Sequence, residues 1–474
     1  METLTTRLIT NLLSKRCLEI LNTLEGKEEV QIKEIAKTIH HSRRTVLSDL
    51  NELRNYFGAS IEILGSNRGV QLVINDYNQY HAKKTQYVQQ EPLIQIIEGI
   101  YSGGQLLTIT EWSEILNFSI STIKRLLERL EGVVKSYNLN LERSPVSFSG
   151  KELDKRKFFW DLYYESNSIE IDEINDYHQE RLLKIILSDA RFISTKRIRS
   201  ILNLSFKRLG KGTFYFSDKI LYCVEKDHLF KDIYSEIRKA ASVYRYPEEV
   251  LYQETVFILL MLYSHWNQRK LTQIPLQEFS TSSEKFCREL VNFLLENRTK
   301  ESKDRLELFV EDFLSRQYTK ICLGTIYLRN IDDTNRFAKS LNPNLYFELC
   351  KYLNQKENIP HHFYNEFIPD FAASFLLYLF TNQVIFTSLN ILILLSNDSI
   401  IDESAQIIFE KFLNTQATII YEEEVSKGML KKLDFTKIIT NIIPFEHEIS
   451  ECTEIMYFSK RFNLEDIVRL VHTI

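Results

Sequence analysis

IKEIAKTIHHSRRTVLSDLNELRNYF, from Ile32 to Phe57, sets the fold of the N-terminal region. Ile32, Ile35 and Ala36, then Val46, Leu50 and Leu53, recur at helical spacing on either side of the polar break His40-His41. The stretch therefore predicts two helices sharing one small core. A third helix precedes them in SKRCLEILNTL (Ser14 to Leu24), with Ile20 and Leu21 on the shared side. Ser42 is placed to cap the last of the three. With the apolar side buried, Arg43, Arg44, Thr45 and Ser48 face outward near that helix's N-terminal end, the part of a recognition helix that meets the major groove. The alternating stretch ASIEILGSNRGVQLVI (Ala59 to Ile74) turns between Gly65 and Gly69. It predicts a β-hairpin wing with Arg68 at its tip, in reach of phosphate or the minor groove.

The same design recurs between Leu93 and Gly150: IQIIEGIY, TITEWSEILN, SISTIKRLLERLEGVVKSY, then the alternating NLNLERSPVSFSG. Asn117-Phe118 is the turn, Ser119 or Ser121 the cap, and Ile123, Leu126, Leu127 and Leu130 the buried side of the third helix. Thr122, Lys124, Arg125 and Arg129 are left for DNA. An ordinary helical bundle, whose Lys and Arg residues only keep its surface solvated, accounts for either unit alone. Two such units in tandem, each with a basic helix and a following hairpin, favour DNA reading.

The rest of the composition narrows the class. At 474 residues the chain exceeds one hydrophobic core, and with 44% hydrophobic residues but only 13 Gly and 8 Pro it suits compact, mainly helical domains on short connections. A formal net charge of −5 supplies no global attraction to nucleic acid, so contact must come from local Lys and Arg clusters. Six cysteines are scattered without a C-x-x-C pair, so neither structural zinc nor a disulfide framework is expected, and no metal or cofactor. The start, METLTTRLITNLLSKRC, reads as an amphipathic helix rather than a signal peptide. The strongest apolar stretches, Val256 to Tyr263 and Ile391 to Leu395, fall short of the roughly 20 residues of a spanning helix. A cytoplasmic protein with no membrane partner is expected. The sequence lacks G-x-x-x-x-G-K-[ST], G-x-G-x-x-G, H-E-x-x-H and G-x-S-x-G, so no catalytic residue is assigned and no enzyme is expected.

Ile32 to Phe57 resembles the first winged helix of the Mga/AtxA family of Gram-positive virulence regulators. Thr108 to Glu165, including SFSGKELDKRKFF, is similar to the Mga-type helix-turn-helix domain. The resemblance implies two further helical domains related to the phosphotransferase-system regulation domains (PRDs), then a C-terminal domain like a sugar-transport IIB component. The residues suit that order. Wide apolar faces run from about Ile169 to Lys270 and from about Glu278 to Asn382. Beyond them LNILILLSND, ATIIYEEE and FTKIITNI read as strands, and IDESAQIIFEKFL and NLEDIVRLVHTI as helices, a small doubly wound α/β domain. The expected division is winged helix-turn-helix over 1–76, Mga-type helix-turn-helix over 77–166, PRD-like helices over 167–275 and 276–386, and IIB-like α/β over 387–474.

Transport IIB components carry phosphate on a cysteine after the first strand, where this chain has Ser396 to Ser399. Docking or dimerisation is thus the simpler expectation for that domain, and Cys452 an inert thiol. PRDs are phosphorylated on histidine, and of the candidates here His228, His361 and His362 are the more accessible, ahead of His178 and His265. The resulting expectation is a DNA-binding regulator, an activator of virulence or carbohydrate-responsive genes, acting as a homodimer under phosphorylation control and meeting phosphocarrier proteins of the sugar-transport system. The alternative is an interaction scaffold in sugar-transport signalling that does not bind DNA.

Overall fold

Short polar side chains set five of the helix starts in the N-terminal part of the chain. The computed structural model describes residues 4–25, 29–66, 68–104, 106–165, 177–189, 195–241, 246–264, 280–296, 303–330, 332–341, 343–355, 367–381, 391–395, 417–421, 437–440 and 454–457. After α1 (Leu4–Leu8), Asn11 caps α2 (Leu12–Leu24) by accepting from the N–H groups of Leu13 and Ser14. Then come α3 (Ile32–Thr38) and α4 (Arg43–Phe57), a 3-10 turn over Gly58–Ser60, and the antiparallel pair β1 (Ile61–Gly65) and β2 (Val70–Ile74). Ile20, Leu21, Ile35, Val46, Leu50, Leu53 and Phe57 are buried together, the core read from the apolar spacing. Arg16 on α2 grips Asp49 on α4 with two bonds of 2.6 and 2.9 Å, fixing the angle between the helices. Val30 exchanges backbone bonds with Val70 at 2.9 and 2.8 Å, and Gly69 stands beside them because a Cβ there would lie 2.4 Å from the Val30 carbonyl.

Helices α5 (Tyr77–Gln89) and α6 (Pro92–Ser102) lead into the second unit, formed by α7 (Ile109–Ile115), α8 (Ile120–Lys135), β3 (Asn140–Arg143) and β4 (Val146–Ser149). Gly99 costs α6 roughly 1 kcal/mol of helix propensity. It leaves room for the Trp112 indole of α7, which would sit 2.8 Å from a Cβ. Ile123, Leu127 and Leu130 are buried, whereas Leu126, expected among them, is half-buried at the edge of the core.

The two units repeat at a constant spacing of 77 residues. Val30 and Leu107 each bond to a hairpin strand ahead of the second helix, His40 and Asn117 hold φ of 55° and 54° in the turns, and Ser42 and Ser119 cap the third helices.

Next, α9 (Glu152–Phe159) runs into a π-helical turn over Trp160–Glu165. A helical set follows: α10 (Tyr177–Leu187), α11 (Thr195–Arg208), α12 (Asp218–Glu225), α13 (His228–Ala241) and α14 (Glu248–Ser264). Every residue from Val256 to Tyr263 is buried, so α14 is apolar all round and forms the centre of the set. The remaining α-helices among the described residues are α15 (Ser280–Glu296), α16 (Lys303–Leu323), α17 (Asp332–Leu341), α18 (Pro343–Gln355) and α19 (Ile368–Thr381).

Two compact units result: Met1–Phe286 with Glu311–Asp333 and Ile359–Phe367, and Cys287–Val310 with Thr334–Asn358 and Ile368–Ile474. This grouping is coarser than the five expected domains. Glu311–Asp333 joins the first unit because Ile326, Tyr327 and Leu328 are buried there and the Tyr327 hydroxyl donates to the Leu153 carbonyl on α9 at 3.1 Å. In the second unit the Phe293 and Tyr352 rings meet at 4.9 Å. It also holds a parallel sheet of β5 (Ile391–Leu395), β6 (Ala417–Tyr421), β7 (Lys437–Thr440) and β8 (Glu454–Tyr457) in the order β6-β5-β7-β8, the order of a doubly wound sheet. The first three strands lie where the alternation put them, and β8 was not anticipated. The expected C-terminal helices, Ser396 to Ser399 and Cys452 lie outside the described residues. No helix among the described residues is long and apolar enough to cross a membrane.

Candidate nucleic-acid interface

Each third helix presents its first turns to solvent. The Ser42 Oγ accepts from the Thr45 N–H at 3.1 Å and shares a proton with the Thr45 hydroxyl at 2.9 Å. Ser119 does the same with Thr122 at 3.2 and 2.9 Å. Both turns also close alike: His41 N–H reaches back to the Ala36 carbonyl at 3.0 Å and Phe118 N–H to Ser113 at 3.1 Å. In α7 the Glu111 carboxylate accepts from the Thr108 N–H and hydroxyl, which holds it below the usual carboxylate range.

On α4, Arg43, Arg44 and Ser48 are exposed and Thr45 is half-buried in its cap contact. Arg68 is exposed at the hairpin tip, its N–H held by the Ser66 Oγ at 2.8 Å. On α8, Lys124 and Arg125 are exposed and Thr122 is half-buried. Arg129 stands apart from them. It is half-buried, and its Nε donates to the Arg7 carbonyl at 2.8 Å, tying α8 to α1. That partner lies 122 residues away in sequence, beyond any helical pattern. Sequence reasoning read these residues as turns only: His40 and His41 are exposed beside the first cap, and Phe118 beside the second. Their signal was their place next to a capping serine.

The two helix-and-hairpin units, the first and second head, are bound to each other. The buried Glu91 carboxylate ahead of α6 accepts from the N–H and hydroxyl of Thr10 at 2.8 and 3.1 Å and from the Asn11 N–H at 3.3 Å, at the start of α2. The far end of α8 is held by Arg329, whose guanidinium donates to the Ser136 carbonyl at 2.6 Å and lies 4.8 Å from the centre of the Tyr137 ring.

Behind the second head, α9 carries four charged side chains into the interior, Glu152, Asp154, Arg156 and Lys157. Arg156, fully buried, makes two bonds to Glu254 of α14 at 2.6 and 2.8 Å and lies against the Phe214 and Phe257 rings. Glu152 makes two bonds to Arg208 of α11 at 2.8 and 2.6 Å and meets Arg156 at 3.3 Å. Burial works against the Glu152 charge, and Arg208 more than offsets it, so the carboxyl stays below its ordinary value.

Of the phosphorylation candidates, His228 begins α13 and is 70% exposed. Its Nε2 lies 3.1 Å from the Asp189 carboxylate and its Nδ1 3.6 Å from Asp227. His178 faces the buried Glu236 at 2.7 Å. His361, His362 and His265 lie outside the described residues. Burial pushes the Cys17 thiol up to about 11, so it stays protonated and inert at neutral pH. Among the described residues no three His, Cys, Asp or Glu side chains converge as a metal site.

Residues 78–163, from α5 into the π-helical turn, match the Mga helix-turn-helix domain. The chain is 24% identical over 155 residues to the capsule synthesis positive regulator AcpB of Bacillus anthracis, covering 32% of each chain. It is 24% identical over 234 residues to the capsule synthesis positive regulator AcpA of the same organism, covering 46% of this chain and 47% of that one. The matches thus span about a third and about half of these relatives' lengths. The resemblance to Mga/AtxA-type regulators read from Thr108 to Glu165 holds, on a mainly helical fold with a helix-turn-helix domain.

Proposed function

We propose that this protein is a DNA-binding transcription regulator that grips one duplex with both winged helix-turn-helix units, rather than an enzyme. The serine-capped helix start, repeated at a 77-residue spacing, carries the reading: it presents Arg43 and Arg44 in the first turn of α4, and Lys124 and Arg125 one turn later on α8, to solvent on matching scaffolds. Arg68 extends the first footprint to the backbone or minor groove. The relatives' description as positive regulators supports activation. Control belongs to the helical domains. Phosphate on His228 adds negative charge opposite Asp189 and Asp227 and drives α13 from its neighbours. His361 and His362 are the further acceptors, phosphocarrier proteins the donors, and the C-terminal α/β domain the homodimer contact.

Titration of fluorescent duplex DNA with the full chain across a salt series tests this. Arg43→Ala/Arg44→Ala and Lys124→Ala/Arg125→Ala each weaken binding, and each lowers the slope of log K against log salt by about one unit for every phosphate left unneutralised. The saturation point gives two chains per duplex. Undiminished binding by both double variants overturns the reading. Absence of any duplex affinity, with stable capture of a phosphocarrier protein, establishes the scaffold instead.

A further inference from the structure

The 77-residue correspondence pairs the surfaces of the two heads position by position, and their chemistry is inverted. The first turn of α4 carries Arg43 and Arg44, both exposed, and its second turn an exposed leucine, Leu47. The matching places on α8 are Ile120 and Ser121 in the first turn and Lys124 in the second, followed by Arg125. Ile120 is 45% exposed, and Phe118, one residue before the cap where the first unit has His41, is 40% exposed. Large apolar side chains thus stand where the first head has Arg43 and His41, on a turn and cap of the same geometry.

Neither side chain is needed for the core, which Ile123, Leu127 and Leu130 fill at full burial. The first residues of a recognition helix are those that meet base edges. In the major groove one base pair presents an apolar group, the 5-methyl of thymine, and an aromatic or aliphatic side chain is its partner. The flanking Lys124 and Arg125 supply the charge that holds the phosphates on either side.

We infer that the second head reads thymine methyl groups through Ile120 and Phe118, while the first reads hydrogen-bonding edges through Arg43 and Arg44. This rests on the DNA-binding reading above and assigns a different specificity to each head. Arginine pairs with both acceptors of guanine, so the preferred site joins a guanine-containing segment under the first head to a thymine-rich segment under the second.

The test compares two probes that differ only in the methyl group: an alternating dA-dT duplex, and the same duplex with deoxyuridine for thymidine. Full-length protein binds the methylated duplex more tightly, by about fourfold for each methyl covered. Ile120→Ala/Phe118→Ala binds both at the deoxyuridine level with an unchanged salt slope. That unchanged slope shows the variant still folded and bound, whereas Lys124→Ala/Arg125→Ala lowers affinity for both, flattens the slope and keeps the methyl preference. Salt-dependent binding of both duplexes without preference overturns the methyl assignment, leaves DNA binding standing and makes the apolar head a protein-docking surface. No binding to either duplex overturns the DNA-binding reading itself.

Discussion

Lys211 shows how one side chain ties a distant segment to the reading head. Its Nζ donates to the Ser102 carbonyl at 2.7 Å and the Tyr101 carbonyl at 3.3 Å, capping the C-terminal end of α6. Gly103 at that end has φ of +65°, and a Cβ there would strike the lysine at 2.1 Å. Burial, with Arg208 and Lys207 adding to it, pulls the Lys211 ammonium down to about 8. The unfolded chain, with its lysine at an ordinary 10.5, then binds more protons than the folded one between about pH 8 and 10.5, so this group's contribution to stability rises with pH across that window. The stability difference between wild type and Lys211→Met, from chemical denaturation at a series of pH values, therefore shifts in favour of wild type from pH 8 to 10. Tyrosine ionisation at the upper end is common to both proteins and cancels. A gap independent of pH shows the ammonium to be unperturbed. None of this was legible in GKGTF, because the carbonyls that Lys211 meets lie 109 and 110 residues earlier.

At the scale of elements, legibility follows the range of the interaction. Ser42 and Ser119 were readable as caps because the bond each makes closes within three residues. The hairpins were readable because alternation records which face is buried. By contrast β8, four residues long within CTEIMYFSK, gives too short a run to be told from a buried helical turn. The caps yield a graded expectation. Ser42→Ala and Ser119→Ala each cost about 1 kcal/mol, whereas the Gly variants cost a few tenths, since glycine leaves the end N–H groups open to water. Urea midpoints of the four variants check the ordering. Equal losses for Ala and Gly would mean that backbone freedom rather than the cap sets the helix start.

In the whole molecule, the four-charge group behind the second head is the least legible feature and energetically the most exacting. Glu152 and Arg156 are four residues apart on α9, yet their strongest partners, Arg208 and Glu254, stand 56 and 98 residues further on. From KELDKRKFF alone both look like solvent-facing charges of an amphipathic helix. Removing one member leaves its partner buried without compensation, so Arg156→Met costs about 3–5 kcal/mol. Replacing both, as Arg156→Met/Glu254→Met, leaves apolar groups beside Phe214 and Phe257 and recovers much of that loss. Denaturation of the two singles and the double closes the cycle, and additive losses would show that the residues act independently.

The pins at Glu91 and Arg129 have a consequence for the geometry of any target. Two heads bolted to one another form a ruler, and a ruler reads phase as well as spelling. On the DNA-binding reading proposed above, with a duplex that turns once in about 10 base pairs, the segments met by α4 and α8 must face the protein together. The same two segments set half a turn out of step cannot be gripped at once. On that reading the molecule is matched to a helical angle, and a duplex's intrinsic twist or bend becomes part of the word it reads.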